Sequence, residues 1–143
     1  MSANGDDAAV VLREHGLEGC EQAVGAYIAR QRWAGAQGRT IESTAIVDAA
    51  VISAAAPILL HTLTAVTYAD GATTRYALPL GVREPGDALA ERAPEFVIPW
   101  ADARTSMLLY DAVGDPAYIE WLLDAIREQR VVSTSSRIPS AGR

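Results

Sequence analysis

The dipeptide Asp70-Gly71 restricts the fold more than any other part of the sequence, because it separates two segments with β-strand character. Residues 58–69 before it are rich in β-branched side chains, and the larger side chains alternate in residues 74–80 after it. Glycine tolerates the positive φ angle of a tight turn, so the pattern predicts an antiparallel hairpin. Pro79 has no backbone N–H to donate to a neighbouring strand, so the side of the strand that its nitrogen faces should be a sheet edge or a bulge.

A helix and a further strand are predicted before this hairpin. Apolar side chains recur at helical spacing over residues 17–28, and the helix should extend to about Arg32, where the following glycines end it. Cys20 lies on the apolar stripe, so we expect a small core residue rather than a nucleophile. Residues 40–52 are rich in β-branched residues and lack a helix cap, which favours a strand.

A short strand and a second helix are predicted after the hairpin. Residues 107–110 are apolar, and Asp115 and Pro116 then provide a helix cap and a suitable first helical residue. The apolar stripe predicted for this helix consists of Ile119, Leu122, Leu123 and Ile126. Tyr118 and Trp121 lie off that stripe and are predicted to be exposed, where they would form a contact surface for another protein.

The order of helix, antiparallel strands and helix predicts an α+β fold, with a sheet of about four strands packed against N- and C-terminal helices. A length of 143 residues suits one domain. We expect that domain to span residues 8–130. Residues 1–7 are predicted to be a disordered tail, and residues 131–143 a flexible C-terminal tail.

The composition narrows the class of partner. A net charge of −6 argues against nucleic-acid binding, which depends on neutralising phosphates with positive charge. The acidic start and the lack of a long apolar run predict a cytoplasmic protein with no membrane contact. A single cysteine excludes an internal disulfide and any zinc site built from several cysteines.

The motifs predict no catalytic, cofactor-binding or metal-binding residue. The sequence contains no glycine-rich phosphate loop and no nucleophile elbow. Neither His15 nor His61 has a second histidine or a cysteine pair at metal-ligand spacing. All 12 basic residues are arginine, so chemistry that needs a lysine is not available to this chain.

The stretch QRWAGAQGR, residues 31–39, combines arginines, a tryptophan and two glycines. We interpret it as a helix end and its exit loop, with Trp33 filling the seam between helix and sheet. Asp111 follows an apolar strand, where a charge is costly unless it is paired. Its predicted partner is Arg32 or Arg39. The alternative is that the arginines of this stretch, with the one just before it, form an anion-binding surface.

Three stretches of the sequence together indicate a family. Their matching residues are Gln31, Arg32, Trp33, Gly38 and Arg39, then Tyr76, Leu78, Pro79 and Leu80, and then Tyr110, Asp111, Ala112 and Asp115. Taken in order, they resemble the N-terminal cap domain of bacterial maltokinases and related sugar kinases that are similar to aminoglycoside phosphotransferases. The resemblance covers about Leu17 to Arg130 and implies a curved, cystatin-like sheet. Ala34 departs from the usual aromatic of the family, and Gln37 from its lysine.

The resemblance implies that the nucleotide-binding lysine, catalytic aspartate and metal-binding acid of a full kinase lie downstream of this region. We therefore expect a noncatalytic cap-like module without a cofactor, which interacts with a sugar kinase or regulates trehalose and glycogen metabolism. One alternative is the cap portion of a full-length ATP-dependent maltokinase-like or aminosugar kinase, whose core would use ATP and Mg²⁺. Another is a domain that binds a sugar or an anion on the sheet near Arg75 and Tyr76.

Overall fold

The computed structural model describes residues 5–14, 16–35, 38–100 and 107–131 of the chain. Its helices and strands are α1 (Gly5–Glu14), α2 (Glu21–Ala29), β1 (Ile41–Ser53), β2 (Ile58–Tyr68), β3 (Thr73–Arg83), α3 (Leu89–Arg92), β4 (Leu108–Asp111) and α4 (Pro116–Glu128). Short 3-10 turns occur at Arg32–Ala34, Pro94–Phe96 and Ala112–Gly114. The predicted α+β fold is confirmed.

The strands form a single four-stranded antiparallel sheet in the order β1-β2-β3-β4. The predicted hairpin joins β2 to β3: Gly71 adopts a φ of 90°, and the Ala72 amide donates to Asp70 Oδ1 at 2.9 Å. Pairing between β3 and β4 runs from Leu80 to Arg83 on β3. Pro79 lies one residue outside that paired segment, which agrees with the prediction of an edge position.

Each face of the sheet packs against its own helices, because successive strand residues point to opposite sides. On one face, α1 and α2 cover a core that includes Leu60, Val66, Leu80 and Leu109. On the other face, α3 and α4 contribute to a smaller cluster built from Leu59, Leu89, Tyr110, Ala112 and Tyr118. Successive residues of one strand therefore pack against different helices. The position of α4 depends on the face of the sheet that carries the smaller cluster, which we call the second face.

The N-terminal boundaries differ from the predictions. The helix α1 begins at Gly5, inside the segment predicted as a tail, and its residues Ala8, Val11 and Leu12 are buried in the core. The next helix ends at Ala29 rather than near Arg32. Residues 1–4 and 132–143 lie outside the described part of the chain, so the predicted tails are described only in part.

Candidate functional site

The first motif, residues 31–39, continues from α2 as a tight loop. Gln31 is extended, a 3-10 turn follows, and Gly35 adopts a left-handed φ of 66°. Trp33 is 54% exposed, with its ring edge-on to Tyr76 at 5.8 Å between centroids. The prediction that Trp33 fills the seam between helix and sheet is therefore wrong. The helix ends before Trp33, so the 3-10 turn carries the indole away from the core.

Tyr76 of the second motif connects this loop to the sheet. Its hydroxyl donates to the Ala34 carbonyl at 2.8 Å and also hydrogen-bonds the Tyr68 hydroxyl at 2.8 Å. The guanidinium of Arg39 lies 3.6 Å from the centre of the Tyr68 ring and reaches Asp70 at 3.5 Å. Burial, with the bond to Tyr76, raises the pKa of Tyr68 to about 12. The loop is thus held by phenol and guanidinium contacts at the hairpin.

Asp111, from the third motif, is 3% exposed and hydrogen-bonds a tyrosine. The hydroxyl of Tyr27 donates to its Oδ2 at 2.8 Å, and the amide of Val113 donates to its Oδ1 at 3.1 Å. The predicted arginine partner is therefore wrong: Arg39 binds Asp70 instead. Burial raises the pKa of Asp111, and the hydrogen bonds from Tyr27 and Val113 act in the opposite direction.

Asp115 caps α4 as predicted and also binds Arg83, for which the sequence predicted no role. The Ala117 amide donates to Asp115 Oδ1 at 2.9 Å. Arg83 Nη2 lies 3.0 Å from Asp115 Oδ1 and 2.9 Å from Oδ2, while the Tyr110 hydroxyl donates to the same carboxylate. The Asp115 side chain is fully buried. A charged network therefore fixes the start of α4 to the end of β3.

The predicted interface residues Tyr118 and Trp121 face the sheet. Tyr118 is buried, and its hydroxyl hydrogen-bonds Nε2 of His61 on β2 at 2.8 Å. The Trp121 ring lies 5.7 Å from the His61 ring and 6.2 Å from the Tyr118 ring. Burial lowers the pKa of His61. The prediction that Tyr118 and Trp121 are exposed is wrong, because these rings supply the contact between α4 and the sheet.

The exposed side of α4 instead carries most of the stripe that was predicted to be buried. The exposed fractions of Ile119, Leu123 and Ile126 are 38%, 50% and 64%. These residues are spaced at i, i+4 and i+7, so they lie on one face over about two helical turns. We call this surface the α4 stripe. It forms an apolar band on a helix whose opposite side is packed against the sheet.

A family model described as the maltokinase N-terminal cap domain matches residues 27–115, more than half of the chain. The chain belongs to this cap family. The match contains all three motifs and the whole sheet from β1 to β4, whereas the α4 stripe lies C-terminal to the matched residues. A comparison with curated proteins gave no match.

The three motifs hold the cap together at three separate places. Tyr76 holds the loop of the first motif through a hydrogen bond to the Ala34 carbonyl. Asp111 of the third motif accepts a hydrogen bond from the Tyr27 hydroxyl on α2, and Asp115 forms an ion pair with Arg83. Each contact lies between residues far apart in sequence. These roles fit a family signature that specifies the scaffold of the cap.

Sequence patterns alone did not identify Arg83, and they placed the wrong side of α4 in the core. A usable signal existed for α4, since the aromatic residues of a helix bury the most area and are favoured against a sheet. Arg83 had no local signal, because its partners Tyr110 and Asp115 lie 27 and 32 residues away in the sequence.

Two further observations concern the described residues of the cap. Cys20 is buried, and burial raises its thiol pKa to about 12, as suits a core residue.

In the described ranges, no three His, Cys, Asp or Glu side chains are grouped so as to hold a metal ion, and no helix is long and apolar enough to span a membrane.

Proposed function

We propose that this chain is a noncatalytic cap module that binds a protein partner in the cytoplasm, and that the partner is a sugar kinase or another enzyme of trehalose and glycogen metabolism. The observation that carries the proposal is the α4 stripe, which presents three large aliphatic side chains to solvent on one helix face. The family match supports the kinase context.

The anchoring of α4 makes the stripe suitable for docking. Asp115 and Arg83 hold the start of the helix, while Tyr118 and Trp121 pack its inner side on the second face of the sheet. A partner therefore meets a helix that is already ordered, and binding does not carry the entropic cost of folding it. An amphipathic helix of this kind binds an apolar groove through residues spaced at i, i+4 and i+7.

The test is a binding measurement between the purified chain and the catalytic domain of a maltokinase. The substitution Leu123→Glu places a charge at the centre of the stripe and should reduce binding by about 1–3 kcal/mol, or about 5- to 150-fold. The melting temperature should stay within a degree or two, because Leu123 is half exposed. The matched control is Gln22→Glu, which adds the same charge on the exposed side of α2. Equal binding by Leu123→Glu and the unchanged chain would refute the proposal.

The family description also favours a second candidate, in which the cap is joined to an ATP-dependent kinase core within a longer polypeptide. In that case the stripe contacts the core of the same molecule, and ATP and Mg²⁺ belong to the core. Reading the gene beyond the codon for Arg143 distinguishes the two arrangements. Calorimetric titration of the separate chain with Mg–ATP should give no heat of binding under either one.

A further inference from the structure

We propose that the α4 stripe also pairs with the stripe of a second copy of this chain, in an antiparallel arrangement that competes with the partner enzyme. The inference rests on the proposed function, because it uses the same docking face and adds a way of regulating it. It is carried by the charges beside the stripe, which are self-complementary when two copies of α4 run in opposite directions.

The apolar residues are placed symmetrically about Leu123. Ile119 lies four residues before it and Ile126 three residues after it, so a twofold axis close to Leu123 brings each isoleucine against the other isoleucine of the second copy. Leu123 then meets its own counterpart. Such an isologous contact needs a patch that is complementary to itself, and a central leucine between two isoleucines meets that condition.

The flanking charges follow the same symmetry. Glu120 and Arg127 lie on the same side of the stripe, seven residues or about 10.5 Å apart along the axis. In an antiparallel twofold pairing, this side of one α4 helix lies next to the same side of the other. Glu120 of each chain therefore lies opposite Arg127 of the second chain. Arg127 has a 77% exposed side chain and contacts Asp124 at 3.9 Å, which leaves it accessible to a second carboxylate. A parallel arrangement would instead put this charged side of the two copies on opposite edges of the contact, so no Glu120–Arg127 pair could form.

The small size of the stripe sets the strength of this pairing. Two helices of 13 residues bury less than the roughly 1,200–2,000 Å² of a stable protein interface, so the dimer forms at high concentration and dissociates on dilution. A kinase groove that covers more of α4 displaces the second copy. Self-pairing thus shields the stripe while the partner is absent.

The test is a charge exchange followed by sedimentation over a wide concentration range. Glu120→Arg and Arg127→Glu each replace two attractions with two repulsions, so each variant alone should require about tenfold more protein to associate. An equimolar mixture of the two variants should associate as well as the unchanged chain, because the arginines of one variant then face the glutamates of the other. The double variant Glu120→Arg/Arg127→Glu should also associate normally. Recovery in the mixture identifies the antiparallel register, since a general loss of folding could not be reversed by mixing.

Three outcomes would overturn the inference: an unchanged chain that stays monomeric at millimolar concentration, single variants that associate normally, or a mixture that does not recover. The kinase-binding assay separates this failure from failure of the proposed function. If Leu123→Glu weakens kinase binding while no self-association is seen, docking on the stripe stands and self-pairing is rejected. If self-pairing follows the charge pattern but kinase binding does not respond to Leu123→Glu, the proposed function is rejected.

Discussion

The Tyr27 hydroxyl donates a 2.8 Å hydrogen bond to the buried carboxylate of Asp111, and so connects α2 to the end of β4 across 84 residues of sequence. Both side chains lie on the face of the sheet that α1 and α2 cover. A carboxylate in this position stays ionised only with donors around it, and here one donor is a phenol and another is the Val113 amide.

We expect Tyr27→Phe to lower the free energy of unfolding by about 1.5–3 kcal/mol, because it leaves a buried charge with one donor fewer. Urea unfolding measures the change, and a double-mutant cycle with Asp111→Ala isolates the pair. The control is Arg32→Ala, which removes a candidate partner predicted from the sequence and should change stability by less than about 0.5 kcal/mol. A larger effect of Arg32→Ala than of Tyr27→Phe would contradict this assignment.

The parts of the fold that were predicted correctly are those fixed by local sequence. The turn at Asp70-Gly71 needs a residue with positive φ, and the α4 cap needs Asp115 and Pro116 side by side, so a short window contains the information. The hydrogen-bond partner of Asp111 is not determined by the residues next to it in the sequence. Several arginines and tyrosines could reach a buried carboxylate, and only the packing of α2 on the sheet selects Tyr27.

The wrong assignment of α4 has a similar cause. Helical periodicity places Ile119, Leu123 and Ile126 on one side and Tyr118 and Trp121 on another, and both sides are apolar. The choice depends on the surface that receives the helix. That surface contains His61, which can hydrogen-bond a phenol but not an aliphatic side chain.

The burial of His61 beneath α4 makes stability depend on pH. Burial lowers the folded-state pKa of His61 below its unfolded value of about 6.5, so the unfolded chain binds more protons between these two values. Stability is therefore lost as the pH falls below about 6.5 and levels off below the folded pKa. We expect His61→Gln to reduce the difference in urea midpoint between pH 7.5 and 5.5. Equal pH dependence in both proteins would contradict this prediction.

The Arg83–Asp115 pair should be among the most costly contacts to break. Asp115 is fully buried, so Arg83→Ala leaves an uncompensated charge next to the Tyr110 hydroxyl and should cost about 3–5 kcal/mol. Asp87→Asn is the matched control, since Asp87 also contacts Arg83, at 3.4 Å, but is partly exposed. That change should cost under about 1 kcal/mol. Comparable losses in thermal unfolding would show that Asp115 is not the dominant partner.

Gly81 tests the close contact between β3 and β4. A Cβ atom at this position would overlap the ring of Tyr110, the residue paired with Gly81 across the strands. Gly81→Ala should therefore lower stability by about 1–3 kcal/mol, as expected for overpacking. Ala77→Val is the control, because Ala77 lies four residues earlier on the same strand and is exposed. A stabilising effect of Gly81→Ala, as reduced chain entropy alone would produce, would mean that the ring can move away.

The two sides of α4 should respond differently to truncation. Trp121 is partly buried against His61 and Tyr118, so Trp121→Ala should cost about 2–3 kcal/mol, below the range for a fully buried tryptophan. Ile126 is 64% exposed, and Ile126→Ser should change the unfolding free energy by less than about 0.5 kcal/mol. Kinase binding should fall in Ile126→Ser even though its stability is retained, because the lost side chain belongs to the docking stripe. A stable Trp121→Ala protein beside an unfolded Ile126→Ser protein would reverse the assignment of the two faces and return the interface to the aromatic side.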